Sequence, residues 1–281
     1  MNQHQTFYRH PDLPFLELRC GYDTTACYAL HTHAEYSLGA VLRGYSRYQY
    51  QQRHFRLSRG DSVFVPANIA HACNLDDANT ANSWQYLMLY IHADYWQQLC
   101  ADWQVKMLFD GKPINSPELF RLLIQLHQTW AMQPDEAAVI EAAWLKCFSQ
   151  LIKVGYSVRQ KDCNDKPCTP LVDDILSWLD HCTSEPLSLA RLAQVTGYQR
   201  HQILRKFQQE LGISPYQYLL NKRIQHAKKL LKSGHPLSEV TYQLGFSDQA
   251  HFQHTFKRYT AITPRQYQIQ TTTIKTISTT N

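Results

Sequence analysis

No CxxC pair and no zinc-finger spacing occurs among the eight cysteines, which stand at 20, 27, 73, 100, 147, 163, 168 and 182. Scattered thiols in a reducing compartment are expected to stay free, which sets aside a disulfide scaffold and a cysteine-built metal module. No apolar run approaches the roughly 20 residues that a membrane span needs. The first fifteen residues hold His, Gln, Arg and two Pro without an apolar core, so they do not read as a secretory signal. The expectation is a soluble, intracellular protein with no membrane partner. Hydrophobic residues make up 44% and charged residues 18%, an ordinary globular balance that argues against wholesale disorder. A chain of 281 residues is long for one domain, and two are expected.

Charge is unevenly placed. Residues 1–167 carry 15 Lys+Arg against 16 Asp+Glu, a net of −1, and residues 168–281 carry 13 against 7, a net of +6. A basic C-terminal part on a near-neutral partner points to a polyanion at that end.

Residues 15–92 read as strands. Cys27–His33, Tyr36–Arg43, Tyr45–Gln51, Ser62–Val65 and Trp84–His92 are short, rich in Val, Tyr and Leu, and punctuated by Gly44, Gly60, Asp61 and Pro66. Many short strands at close spacing predict a small antiparallel barrel or sandwich. From Asp94 the period changes. Ser116 and Pro117 make a cap and a first-turn proline, followed by Leu119, Leu122, Leu123 and Leu126 at helical spacing. A second helix is expected over Asp135–Val154, with Val139, Ile140, Ala143, Leu145, Cys147 and Leu151 as its apolar side. These two helices either dock on the barrel or pair two chains. Residues 159–169 (RQKDCNDKPCT) are polar and without periodicity, and read as a linker. Helix is expected from there to about Tyr267, and the Thr-rich stretch 271–281 is expected to fray.

The C-terminal part repeats itself. One copy has Leu189, Leu192, Ala193, Gly197 and Phe207; the other has Leu237, Val240, Gly245, Phe246 and Phe256. Each ends on the same phrase: Phe207, Ile213, Ser214, Pro215, Tyr218 in the first and Phe256, Ile262, Thr263, Pro264, Tyr267 in the second. The offset is 48 residues at the glycines and 49 at the phenylalanines. In each copy a short amphipathic helix ends at a glycine able to take the left-handed turn, and a second helix follows, anchored by Ile203 and Phe207 or by Phe252 and Phe256. That is the layout of a helix-turn-helix unit. Ser214 with Gln217, and Thr263 with Gln266, are capping boxes with proline at the first helical position. Pro215–Lys232 is then one connecting helix of about 27 Å, enough to put two recognition helices into successive major grooves roughly 34 Å apart.

The segments LSLARLAQVTGY (187–198), FQQELGISPYQYL (207–219) and LGFSDQAHFQHTFKRYTAITPRQY (244–267) resemble the DNA-binding domain of the AraC/XylS family of transcription regulators. On that resemblance, His201, Leu204 and Arg205 face the major groove. Gln199, Arg200 and, in the second unit, Ser247, Gln249, Ala250, His251 and His254 complete the two exposed faces. Arg205 suits a bidentate contact to guanine and Gln249 suits adenine, whereas Leu204 offers only apolar contact. His254 stands where the family often has a longer basic side chain. Lys206, Lys257 and Arg258 read as phosphate contacts. Lys222, Arg223, Lys228 and Lys229 on the connecting helix are left open between phosphate contact and solvated surface.

In the first half, His31 and His33, then Gly60, Pro66, Asn68 and His71, resemble the two cupin motifs, G-x5-H-x-H-x3,4-E and G-x5-P-x-G-x2-H. Glu35 follows His33 too closely for the fourth ligand of a cupin metal, and Asn68 stands where the motif has Gly. Strand alternation still puts Glu35 on the face of His31 and His33. The family commonly carries a cupin-like N-terminal domain that binds an effector, and His31, His33 and His71 with Tyr36, Trp84 and Tyr86 are the expected pocket.

The reading is therefore α+β: a cupin-like antiparallel β-barrel with flanking helices, then an all-α domain of two tandem helix-turn-helix units. Its expected parts are a sensing and dimerisation domain (1–158), a linker (159–169), an AraC-type DNA-binding domain (170–270) and a tail (271–281). The function implied is that of a DNA-binding regulator, an activator by family habit, not an enzyme and without a cofactor. Its partners would be double-stranded DNA, a small-molecule effector, RNA polymerase and a second copy of the chain, in the cytoplasm. Two alternatives stay open: a cupin metalloenzyme fused to a DNA-binding module, with metal at His31, His33, Glu35 and His71, and a metal- or thiol-responsive regulator using Cys73.

Overall fold

The structure is a computed structural model that describes residues 4–24, 27–76, 83–157, 169–181 and 187–269. Contacts divide them into two compact units, one of residues 4–24 and 33–157, the other of residues 27–32 and 169–269. The linker expected over 159–169 lies outside the described residues apart from Thr169, as do the tail 271–281 and Cys163, Cys168 and Cys182.

The first unit contains β1 (His4–Tyr8), β2 (Leu16–Thr24), β3 (Tyr36–Arg43), β4 (Ser46–Tyr50), β5 (Arg53–Leu57), β6 (Asp61–Val65), β7 (His71–Leu75), β8 (Trp84–Ile91), α1 (Ala93–Asp102), β9 (Met107–Leu108), β10 (Ile114–Asn115), α2 (Pro117–Met132), α3 (Ala137–Val154) and β11 (Tyr156–Ser157). One sheet runs β1-β2-β8-β3-β6-β10, a second β5-β4-β7, and β9 pairs with β11. Alternation along β8 divides the hydrophobics into two layers. Trp84, Tyr86 and Met88 face the three-stranded sheet, where they meet Tyr48, Leu57 and Cys73. Leu87, Leu89 and Ile91 face the helices and pack with Leu119, Leu123, Leu126, Trp144 and Phe148. Period 2 in the strands and period 3.6 in the helices thus build two cores on one sheet.

The helix pair α2–α3 spends its apolar stripe on the sheet. Ser116 caps α2 by accepting from the Leu119 N–H at 3.3 Å, and Pro117 opens it. On α3 the stripe is Ile140, Trp144, Cys147, Phe148 and Leu151; Val139, expected in it, is exposed. Cys20, Cys27, Cys73, Cys100 and Cys147 are free thiols, in keeping with their scattered spacing.

The expected strand over Cys27–His33 is not formed. Its first six residues group instead with the second unit. The Ala29 N–H donates to the Arg258 carbonyl at 3.0 Å, and Asn221 Nδ2 donates to Thr32 Oγ1 at 3.0 Å. The Ala29 N–H, satisfied this way, has no need of a sheet neighbour.

The second unit otherwise consists of α4 (Pro170–His181), α5 (Leu189–Thr196), α6 (Arg200–Leu211), α7 (Pro215–Lys232), α8 (Leu237–Gln243) and α9 (Gln249–Thr260). Ser188 caps α5, and Gly197 ends it at φ +72° with its N–H on the Ala193 carbonyl. Gly245, at φ +66°, turns the chain between α8 and α9 in the same left-handed way. Ser214 and Gln217 exchange both bonds of a capping box at the start of α7; Thr263 and Gln266 do the same after α9. The core is Leu192, Ile203, Phe207, Leu219, Ile224, Val240, Phe252 and Phe256, each almost wholly buried. No helix among the described residues is long and apolar enough to cross a membrane.

Candidate functional site

Burial of Ile203 and Phe207 on α6 leaves the opposite side for solvent. Arg200, His201, Leu204 and Arg205 are exposed there, and Lys206 is half-buried at the edge. Burial of Phe252 and Phe256 does the same for α9, exposing Gln249, Ala250, His254, Lys257 and Arg258. The anchors expected in each unit are thus core, and the expected reading residues lie on the free faces, with two qualifications at the start of α9. Ser247 and His251 are tied to the helix end: Ser247 Oγ lies 3.1 Å from His251 Nδ1, and the His251 ring stands edge-on to Phe246, centroids 5.4 Å apart. Asp248 caps α9 through the His251 N–H at 2.7 Å, and that bond holds its carboxyl below the usual range. A carboxylate at this end subtracts from the positive field of the second face.

Arg200, Arg205, Lys206, Lys257 and Arg258 carry no ion pair among the described residues. Five cations without carboxylate partners among the described residues, on two solvent-facing helix faces that also carry exposed polar side chains, give those faces a positive potential. On the connecting helix the sequence leaves four cations open, and the structure removes one. Arg223 is 4% exposed. Its guanidinium lies over the Phe246 ring and donates to the Gly245 carbonyl at 2.9 Å. It braces the turn of the second helix-turn-helix from inside, so it is not a phosphate contact.

In the first unit the expected pocket residues separate. Tyr36 stacks on Trp96, centroids 4.9 Å apart, in the layer between sheet and helices. Alternation carries it away from the barrel interior, which removes it from the pocket. Trp84 and Tyr86 face the interior and stack on each other at 4.5 Å. His33 and His71 come together edge-to-face at 4.7 Å, and Tyr90 lies 5.4 Å from His33. His31 falls in the stretch 27–32 that groups with the second unit, its Nδ1 2.8 Å from the Ala29 carbonyl.

Both interior imidazoles are oriented by backbone. His33 Nδ1 donates to the Glu35 carbonyl at 2.7 Å and His71 Nδ1 to the Ile69 carbonyl at 2.9 Å. Each bond places the ring lone pair on Nε2. Burial lowers the His71 pKa to about 4, so its ring is neutral near pH 7. Glu35 is half-buried, and its carboxylate lies 3.8 Å from the same His33 Nδ1, on the side away from Nε2. It is poorly placed to complete a metal shell with that nitrogen. Asn68, which replaces the motif glycine, holds φ +63°, and its N–H donates to the His33 carbonyl at 2.8 Å. Asn tolerates the left-handed region, so the turn that positions His71 survives the exchange.

One interior side chain escapes sequence reasoning. Tyr48 is 1% exposed and pairs in register with Cys73. Among the described residues, neither its hydroxyl nor the indole N–H of Trp84 has a hydrogen-bond partner. The signal for Tyr48 is the alternation Ser46, Tyr48, Tyr50 along one strand.

Comparison with known proteins agrees with this division. A family model described as an AraC-like ligand binding domain matches residues 18–146, and one described as a helix-turn-helix domain matches residues 192–270. An uncharacterised HTH-type transcriptional regulator of Bacillus subtilis, YbfI, is 26% identical over 79% of this chain and 80% of its own length. The HTH-type transcriptional activator RhaR of Salmonella schwarzengrund is 26% identical over 85% of this chain and 86% of its own. Among solved structures, apo ToxT of Vibrio cholerae superposes with a TM-score of 0.58 at 18% identity, covering 91% of this chain and 97% of that one, which speaks to the fold. The chain belongs to the AraC family of transcription regulators, with an N-terminal ligand-binding domain and a C-terminal helix-turn-helix domain that binds DNA.

Proposed function

We propose that the protein is an effector-controlled activator that acts in the cytoplasm by binding and not by catalysis. The observation that carries this is the pairing of two solvent-facing, carboxylate-poor helix faces, on α6 and α9, with a barrel interior lined by aromatics and oriented histidines. Arg200, His201, Leu204 and Arg205 read one stretch of major groove; Gln249 and His254 read the next, with Ser247 and His251 in supporting positions. Lys206, Lys257 and Arg258 hold phosphates. The effector sits in the first domain (1–158) against His33, His71, Trp84 and Tyr86, joined through 159–169 to the DNA-binding domain (170–270). Two copies acting together through the solvent side of α2–α3 would place four recognition helices on two half-sites and recruit RNA polymerase. RhaR, similar along most of its length, is named an activator, which supports that sense of control. An effector switches such a protein only by its differential affinity for two arrangements.

Selection of sites from random duplex DNA by the full chain tests this reading. The expected product is an enriched sequence with two blocks about one helical turn apart. Binding that stays unselective and merely follows salt would overturn it.

A further inference from the structure

We propose that Tyr8, Cys20, Tyr22 and His127 form a binding site for a zinc ion that pins the first two strands of the sheet to helix α2. Cysteine spacing gives no sign of it, because a single thiol is joined here by groups from two other elements.

Three elements of the first unit deliver the four side chains. On β2, Cys20 and Tyr22 stand two positions apart and so share a face. Tyr8 on β1 pairs in register with Leu18, which puts it on that same face. Cys20 belongs to the layer between sheet and helices, and Tyr8 and Tyr22 pack against that layer. His127 sits one turn after Leu123 on α2, and Leu123 lies in the same layer. Cys20 is wholly buried, while Tyr8, Tyr22 and His127 are half-buried at its rim.

Three groups converge on one atom. His127 Nε2 lies 3.5 Å from Cys20 Sγ, 3.2 Å from the Tyr22 hydroxyl and 3.3 Å from the Tyr8 hydroxyl. An imidazole nitrogen carries one lone pair or one proton. It can serve one of the three as a hydrogen-bond partner, not all of them. The two oxygen distances are also longer than the roughly 2.7–3.0 Å on which hydrogen bonds to oxygen centre. A metal shell accounts for all three at once. Zinc bonds of about 2.0–2.1 Å to nitrogen, 2.3 Å to sulfur and 2.0–2.2 Å to oxygen, at tetrahedral angles, put nitrogen about 3.5–3.6 Å from sulfur and about 3.3 Å from oxygen. The three separations around Nε2 match those edges.

The donor set selects the ion. A thiolate and an imidazole set aside calcium and magnesium, which take oxygen. Zinc is borderline-soft and accepts sulfur, nitrogen and oxygen together. Burial pushes the Cys20 thiol up to about 11, so zinc enters by exchange. One Zn2+ replaces the proton of the thiol and that of one phenol, both released to solvent. The second phenol stays protonated and offers an oxygen lone pair. The filled site is then neutral, which suits a buried position. Four protein ligands leave no open position, so the ion is structural and not catalytic.

The test uses the full chain, stripped by a chelator, kept reduced with a phosphine and titrated with Co2+ as the visible stand-in for zinc. A single equivalent is expected to give a thiolate-to-cobalt charge-transfer band and the d–d bands of tetrahedral cobalt, both lost on adding Zn2+. Zn2+ should also raise the Tm by mass action. Cys20→Ala should abolish the charge-transfer band, and His127→Gln the tetrahedral spectrum. Tyr8→Phe and Tyr22→Phe keep their rings at half-buried positions. Each should weaken Zn2+ binding roughly tenfold or more, at least what the loss of an outer partner costs a metal site. These two variants decide the matter if Cys20→Ala does not fold. Cys27→Ser and Cys100→Ser alter an exposed and a half-buried thiol elsewhere and should change nothing. Four results would each overturn the assignment. They are the lack of any cobalt spectrum, a charge-transfer band that survives Cys20→Ala or is lost in Cys27→Ser or Cys100→Ser, a spectrum lost in His33→Gln but kept in His127→Gln, and undiminished Zn2+ binding in both phenylalanine variants.

Discussion

Arg223 reaches from the connecting helix α7 to the carbonyl of Gly245, 2.9 Å away, at the turn that launches the second recognition helix. A cation that sequence alone could place on the DNA is thereby spent on geometry. Replacing it with Met keeps the aliphatic stem and removes the donor to the carbonyl of half-buried Gly245, a loss of about 1–3 kcal/mol. The variant is expected to unfold at lower urea concentration and to bind operator more weakly, with the slope of log affinity against log salt unchanged. A phosphate contact would instead lower that slope by about 1, so the salt series decides between the two roles.

Arg205 is the converse case: exposed, without an ion pair among the described residues, on the free face of α6. Arg205→Ala is expected to leave stability within about 0.5 kcal/mol and to cost about 1–3 kcal/mol of operator affinity, relaxing selectivity at one base pair. Mobility shifts against a set of operators with single base changes measure both. Uniform weakening across that set would make Arg205 a phosphate contact.

What the sequence makes legible follows the range of the interactions involved. The connecting helix can be read to the residue as Pro215–Lys232, because its start is written within four positions: Ser214, Pro215 and Gln217. Tyr36–Arg43 can also be read to the residue, since alternation is local. Cys27–His33 reads wrongly as a strand because its partners, Asn221 and Arg258, lie some two hundred positions away. No local pattern reports them. Tyr36 does not line the pocket, as period 2 already implies by putting it on the face opposite His33. The burial of Tyr48 becomes visible only once Cys73 stands beside it in register.

His71 gives the fold a pH dependence with a definite sign. Its pKa falls from about 6.5 in the unfolded chain to about 4 in the fold, chiefly by burial. The folded-state value is the lower one, so the stabilising contribution is complete above pH 6.5. It drains away as the pH falls toward 4, where the unfolded chain takes up a proton that the folded one refuses. The full swing is about 3 kcal/mol. Urea midpoints at pH 7.5 and pH 4.5 should differ less in His71→Gln than in the parent. Equal differences in the two proteins would assign the acid sensitivity to other groups.

Two glycines should respond to alanine for different physical reasons. Gly197 has φ +72° and nothing within 4 Å of where a β-carbon would stand, so Gly197→Ala meets only backbone strain, about 1–2 kcal/mol. Gly21 has no such strain, but its β-carbon would fall 2.3 Å from Tyr86 Cε1, inside the reach of a buried ring. That ring is stacked on Trp84 and 4% exposed, so it cannot step aside cheaply, and overpacking costs about 1–3 kcal/mol or more. The two variants are therefore expected to lose comparable stability in different units. Gly197→Ala should disturb the turn before α6 and weaken operator binding while amide protection in the barrel strands persists. Gly21→Ala should displace Tyr86 and lower that protection while the DNA-binding domain keeps its affinity. Loss of both in either variant would overturn this assignment of each glycine to one unit.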